Sequence, residues 1–388
     1  MYYNYYLYYL SYFSSLYAGY PLVIRLTAVM VLLLLVLTVL GFLRLLLVGY
    51  KETAREKKRD NVKAHFEDRL SFVMKNQTNY DIEEVRQLLQ YDASKTKSWD
   101  PELLTEIILS VKNKLNREGI LNEINYKNCL EALRLMGFWE KRIKKSDIIK
   151  RREALQVVGK IDNGLNSGVL SKSVFHKNKY LRKTARELFT SYDNYNPFKF
   201  MEENFDDSFT QLDKLRLHSA LIKRNVEMKL PNLLRWVNNS KNPKYIIFVL
   251  QEVAFFKQTE SIPTLISMLY KQESKEVRAQ IISTLGDLES VDCINDLISL
   301  FSLESTIVRE AIISTMGKLK TDEALDFLIT TYKSTDDPMG KMQIARAIRN
   351  HGEKGVNILN NFKQNVESKT KENVLLQHVM AEKSSLVV

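Results

Sequence analysis

The chain has 388 residues and a formal charge of +11, with 57 basic against 46 acidic side chains, thirteen glycines, seven prolines and two cysteines. This length exceeds one ordinary core, and so few turn formers exclude a compact β fold, which leaves several helical domains or a helical repeat array. Cys129 and Cys293 lie 164 positions apart, which excludes a disulfide framework and fits reduced thiols in a cytosolic region.

Residues 1–21 hold nine tyrosines and no charge. Tyrosine is amphipathic enough to settle at the lipid headgroups, so this stretch reads either as an interfacial aromatic anchor or as a loose tail. Residues 22–49 are predominantly apolar, with eighteen uncharged residues between Arg25 and Arg44. Such a run makes a helix of about 27 Å, enough to cross the hydrocarbon of a bilayer. The two arginines stand near its ends, where long side chains snorkel to the headgroups. A signal peptide is excluded by the missing positive n-region and small-residue cleavage site.

No Lys or Arg precedes Arg25, whereas Lys51, Arg55, Lys57, Lys58 and Arg59 follow the span directly. These five determine the topology, since basic flanks stay in the cytoplasm. The expectation is a single-pass protein of the inner (cytoplasmic) membrane, its N-terminus outside and its C-terminal bulk in the cytoplasm. That bulk carries 55 basic and 46 acidic residues, a formal +9.

Residues 50–119 read as a juxtamembrane linker and helical cap. IEEVRQLLQ from Ile82 and PELLTEIILSVKNKL from Pro101 have helical periodicity, and Asp100 caps a helix with Pro at its first position. Residues 120–365 then read as a solenoid, and residues 366–388 as a polar, frayed tail.

Internal similarity defines the solenoid. Val277, Arg278 and Gly286 in VRAQIISTLGDL match Val308, Arg309 and Gly317 in VREAIISTMGKL at an offset of 31 residues. Thr259, Ser290 and Thr321 keep the same step ahead of apolar runs, where each is expected to cap a helix. Each unit is therefore two amphipathic helices, the second opening near Val-Arg and stopping at or near Gly. Arg278 and Arg309 are expected to bridge to acids of the following unit. Since a lone pair cannot bury its apolar stripe, neighbours must stack. Residues 342–352 give a degenerate third copy, and Arg152 to Ala154 with Gly159, and Arg182 to Ala185, look like older second helices.

Residues 245–352 resemble the short bacterial variety of HEAT repeats, and the resemblance implies an all-α solenoid that binds other proteins. The layout, one transmembrane helix followed by HEAT-like helix pairs, is similar to the membrane proteins that accompany processive glycosyltransferases in bacterial exopolysaccharide clusters. Two HEAT-like enzyme classes stay as alternatives, the bilin lyases and the alkylpurine DNA glycosylases. The first implies an aromatic cleft and the second a basic channel with an acid in it.

No catalytic constellation stands out. The five histidines are scattered, no phosphate loop or nucleophile elbow occurs, and neither cysteine has a basic neighbour. The expectation is a protein that is not an enzyme, with no cofactor and no metal. Charge is the remaining signal. Lys141, Arg142, Lys144, Lys145, Lys150, Arg151 and Arg152 put seven cations against the single acid Asp147, and Lys172, Lys177, Lys179, Arg182, Lys183 and Arg186 follow. Each reads as a solvated face or as a contact for anionic lipid or an acidic, membrane-associated protein partner. Nucleic acid is not expected, because no aromatic interleaving or reading motif accompanies the charge.

Overall fold

The computed structural model describes residues 2–91, 99–165, 167–203, 205–238, 240–365 and 370–382. Among them the regular structure is helical, without strands, and the chain divides into two compact units, residues 1–139 and 140–388.

The first unit begins with α1 (Tyr2–Gly19), so the tyrosine-rich stretch is a helix and not a loose tail. Its C-terminal carbonyls are capped by Arg25, whose guanidinium donates to Ala18 O and, at 2.7 Å, to Tyr20 O. α2 (Leu22–Lys75) is one uninterrupted helix of 54 residues, about 80 Å at 1.5 Å per residue. Its apolar window is wholly exposed, and it is long and apolar enough to cross a membrane. Beyond an exposed neck at residues 50–61, the same helix buries Val62, Phe66, Leu70 and Val73. The linker expected after residue 50 is therefore replaced by a rigid continuation of the apolar segment.

α3 (Ile82–Leu88), α4 (Pro101–Arg117) and α5 (Glu123–Ala132) pack around this end of α2. Asp100 accepts from Glu102 N at 3.0 Å, as its place before Pro101 requires. The buried Asn125 latches the turn after α2: its amide donates to Val73 O at 2.9 Å, Asn76 O at 3.1 Å and Thr78 O at 2.8 Å, and its oxygen accepts from Tyr80 N. Because α5 packs on α2 and α3, residues 120–139 belong with this unit rather than with the repeats.

α6 (Leu135–Lys145) leads into the second unit, where helices alternate between two roles. The second helices of successive pairs are α7 (Ile148–Ile161), α9 (Lys179–Tyr192), α11 (Gln211–Glu227), α12 (Pro243–Phe255), α14 (Lys275–Asp287), α16 (Thr306–Leu319), α18 (Pro338–Arg349) and α20 (Lys371–Ala381). Between them come the first helices, α8 (Ser167–Val174), the four-residue α10 (Lys199–Glu202), a 3-10 turn at Leu233–Trp236, α13 (Ile262–Leu269), α15 (Ile294–Phe301), α17 (Asp322–Ser334) and α19 (Glu353–Gln364). Second helices pack on one another in two runs, α7 to α11 and α12 to α20.

The irregular spacing around residue 195 has a structural counterpart, since the first helices there shrink to α10 and the 3-10 turn. Rings replace them, with Phe209 set 5.3 Å from Tyr245 and 5.4 Å from Phe248, and Phe198 5.2 Å from Trp236. The expected polar tail is also corrected: α20 buries Leu376 and Val379 and packs on α18 and α19. The rest of that tail, residues 366–369 and 383–388, lies outside the described residues.

Candidate interaction surfaces

The repeat signature resolves into three kinds of contact. Val277 and Val308 are buried anchors at the starts of α14 and α16. Arg278 donates through Nε to Gln272 O, six residues back at 3.1 Å, and pairs with Glu304 of the next unit. Arg182 repeats this arrangement upstream, donating to His176 O at 2.9 Å and pairing with Asp206 at 2.6 Å. Arg309 is exposed without an ion pair among the described residues, and the ladder stops there because Thr335 stands where Glu304 would recur.

The second helices stop close to their glycines, α14 one residue after Gly286 and α16 two after Gly317, but the glycines serve helix contact as well. Gly286 lies inside α14 and Gly317 inside α16, each pressed against the following second helix. A Cβ on Gly286 would fall 2.9 Å from Thr315 Oγ1, and one on Gly317 would fall 2.9 Å from Ala347 Cα. The threonines lock the same stack, with Thr284 Oγ1 donating to Leu250 O at 3.2 Å and Thr315 Oγ1 to Ile282 O at 3.0 Å. Thr321 caps α17 as expected, accepting from Ala324 N at 3.2 Å. Thr259 and Ser290 do not cap α13 and α15, because a 3-10 turn intervenes before each helix.

The first basic cluster divides by residue type. Its arginines are engaged: Arg142 pairs with Glu153 at 3.2 Å, Arg151 donates to Ser146 O at 3.1 Å, and Arg152 lies 4.3 Å above the Tyr180 ring. Lys141, Lys144, Lys145 and Lys150 are exposed, and no ion pair joins them among the described residues. Between them, at the start of α7, Ile148 and Ile149 are also exposed, the latter by 72%.

The second basic cluster is half engaged in the interior. Lys183 is buried with its ammonium 2.5 Å from Asp213, and Arg186 donates to Val174 O at 2.9 Å and to Phe205 O. Lys172, Lys177 and Lys179 remain outside. Lys51, Arg55, Lys57, Lys58 and Arg59 line the exposed neck of α2, where Arg55 faces Glu106 and Lys58 faces Asp100, both at 3.4 Å.

The groups most suited to chemistry are occupied. Burial pushes the Cys129 thiol up to about 12 and the Cys293 thiol to about 11, the reverse of what activates a cysteine. His65 stacks on Trp99, His176 accepts from Asn178 N, His218 meets Glu252 at 2.9 Å, His351 meets Met316 O at 3.0 Å, and His378 faces Glu382 at 3.3 Å. Among the described residues no three His, Cys, Asp or Glu side chains gather to hold a metal.

Two features had no place in the sequence reading. Glu187 sits among Arg216, at 3.5 Å, and other groups of α9 and α11, and burial raises its carboxyl to about 7. On α11, Leu212, Leu215, Ile222 and Val226 are all exposed, opposite the buried Leu217 and Leu221. The signal was legible as two apolar stripes on one helix, where a single stripe suffices for a core.

HEAT repeats are matched by residues 262–349, the stretch from the first residue of α13 to the last of α18. No curated protein matches the sequence. Residues 262–349 thus carry HEAT repeats within a chain whose described residues are helical and without strands.

Proposed function

We propose that this protein is a membrane-anchored scaffold: the apolar part of α2 crosses the inner membrane and the repeats dock a protein partner on the cytoplasmic side. The observation that carries this reading is the continuity of α2. Its apolar part is covered by nothing among the described residues, and a bilayer is the environment that removes such a surface from water. The same helix then enters the core of the first unit, so the anchor and the folded part move together. Lys51, Arg55, Lys57, Lys58 and Arg59 on the exposed neck favour an orientation with the N-terminus outside.

HEAT repeats commonly mediate protein–protein interaction, and long stacked surfaces suit that role. The role assigned is binding and not catalysis, supported by the buried, protonated thiols and the engaged histidines. Within membrane-associated machinery of the envelope, a processive glycosyltransferase is the first partner to test, on the likeness of layout. The lyase and glycosylase alternatives gain no specific support, since the ring cluster closes on itself in the core.

The test is topological. A reporter active only in the cytosol and fused after Val388 is expected to be active, with the protein in the inner-membrane fraction. Activity of a reporter that works only outside the cytosol, at the same position, would overturn the reading.

A further inference from the structure

The second helices α11, α14 and α16 can be superposed residue by residue through their buried positions. Leu217 and Leu221 of α11 correspond to Ile281 and Leu285 of α14, which correspond to Ile312 and Met316 of α16. By the same register Leu215, Ser219 and Ile222 of α11 stand where α14 has Ala279, Ser283 and Gly286, and where α16 has Glu310, Ser314 and Gly317. In α14 and α16 the last of these is a glycine closed upon by the next second helix. In α11 it is an isoleucine, 40% exposed. The stack is therefore open on the α12 side of α11, where His218 reaches across to Glu252 at 2.9 Å and to the Phe255 ring at 4.6 Å.

Leu212, Leu215, Ser219, Ile222 and Val226 follow one another at steps of three and four, within about 80° on a helix turning 100° per residue. Leu215 is 65% and Val226 84% exposed, and Phe255 of α12 is exposed beside them. The stripe runs for about 21 Å, four turns of helix. Its α9 border carries paired charges and its α12 border an excess of cations. Arg216 and Lys223 lie on the α9 side, paired with Glu187 and Asp162. On the α12 side Lys214 has no ion pair among the described residues, and burial together with the charge of Lys244 holds its ammonium below the ordinary lysine range.

From this juxtaposition we propose that the apolar stripe of α11, with Phe255, receives an acidic amphipathic helix of about four turns from the partner protein. An apolar groove takes the apolar face of such a helix, and Lys214 with Lys244 selects acids on the flank that faces α12. The proposal rests on the scaffold reading and gives it a place and a partner chemistry.

The experiment uses the full chain in nanodiscs of neutral phosphatidylcholine. The probe is a fluorescent four-turn peptide with a leucine seam and glutamate flanks, beside a twin with lysine flanks. The acidic peptide is expected to bind at least about tenfold more tightly than its twin. Leu215→Ser with Val226→Ser should weaken it by a similar factor, and Lys214→Glu with Lys244→Glu should reverse the preference. Leu215, Val226 and Lys244 are exposed and Lys214 is half-buried, so thermal melting should change little; Ser219→Arg, a block without loss of apolar surface, gives the same answer independently. A photo-crosslinker placed in turn at the corresponding residues Ser219, Ser283 and Ser314 should capture the acidic peptide from Ser219.

Equal binding of the two peptides overturns the proposal. So does binding of phosphatidylglycerol vesicles, or self-association of the chain, that depends on Leu215 and Val226 while the acidic peptide does not bind. Capture of a co-expressed envelope partner from Ser283 or Ser314 but not Ser219 overturns the α11 site and leaves the scaffold reading standing. No partner captured from any of the three overturns both.

Discussion

A Cβ on Gly317 would lie 2.9 Å from the Cα of Ala347, closer than real Cβ atoms approach a neighbour. The glycine is there because two helix backbones meet, so its substitution is opposed by main chain that cannot move aside. Alanine normally stabilises a helix relative to glycine by about 0.5 to 1 kcal/mol. At this contact overpacking, about 1 to 3 kcal/mol, outweighs that gain. Gly317→Ala should therefore lower the thermal midpoint.

Gly159 of α7 supplies the opposite sign. A Cβ there would meet Leu188 Cδ2 at 3.5 Å, an ordinary contact, and nothing else nearby. Gly159→Ala should raise stability by about 0.5 to 1 kcal/mol, as helix propensity alone dictates. A fall at both sites, followed by denaturant unfolding, would show that the propensity argument fails in this stack.

What the sequence made legible follows from which forces are local. The 31-residue offset between Val277 and Val308 exposed the repeats because each unit solves the same burial problem. Gly286 and Gly317 mark the helix ends locally, but their packing role is not legible because the partner that requires them, the next second helix, is about thirty residues away. Lys183 was read with the surface charges for the same reason, since Asp213 is supplied by another helix. The end of the solenoid was missed because α20 buries few apolar side chains and is polar elsewhere.

Lys183 and Asp213 form a buried pair in which the carboxylate also accepts from Thr210 N at 2.7 Å and so completes the cap of α11. Lys183→Met leaves that carboxylate buried without its cation. Breaking one side of such a pair costs on the order of 3 to 5 kcal/mol. Adding Asp213→Leu should recover much of the loss, whereas full additivity of the two changes in urea unfolding would mean that the pair is not coupled.

Glu187 sets a pH dependence of unusual direction. Its carboxyl titrates at about 7 when folded and near 4.5 when free, so between these values the folded state holds the extra proton. Stability from this group is full below about pH 4.5 and declines as pH rises towards 7. Glu187→Gln removes the decline. The variant should match the parent at pH 4.5 and exceed it by about 1 to 3 kcal/mol at pH 8, the upper figure being discounted for the compensating charge of Arg216. Parallel stability curves for the two proteins across this range would reject the assignment.

The turn between α6 and α7 makes a second, separable prediction about the membrane. Lys141, Lys144, Lys145 and Lys150 surround the exposed Ile148 and Ile149, a combination that suits an anionic surface, with cations at the headgroups and isoleucines entering between them. Each lysine near such a surface contributes about 1 kcal/mol, so reversing all four to Glu should reduce binding of the full chain's nanodiscs to phosphatidylglycerol vesicles by well over tenfold. Folding should hardly change, because exposed charges add little to stability. Ile148→Ser with Ile149→Ser should weaken the same binding while leaving its salt dependence intact, since burial of apolar surface is not screened. The arginines give the internal control: Arg152→Gln, which removes a charge already stacked on Tyr180, should have a smaller effect than Lys144→Gln. If the arginine matters as much as the lysine, binding follows net charge alone and this turn is not a membrane contact.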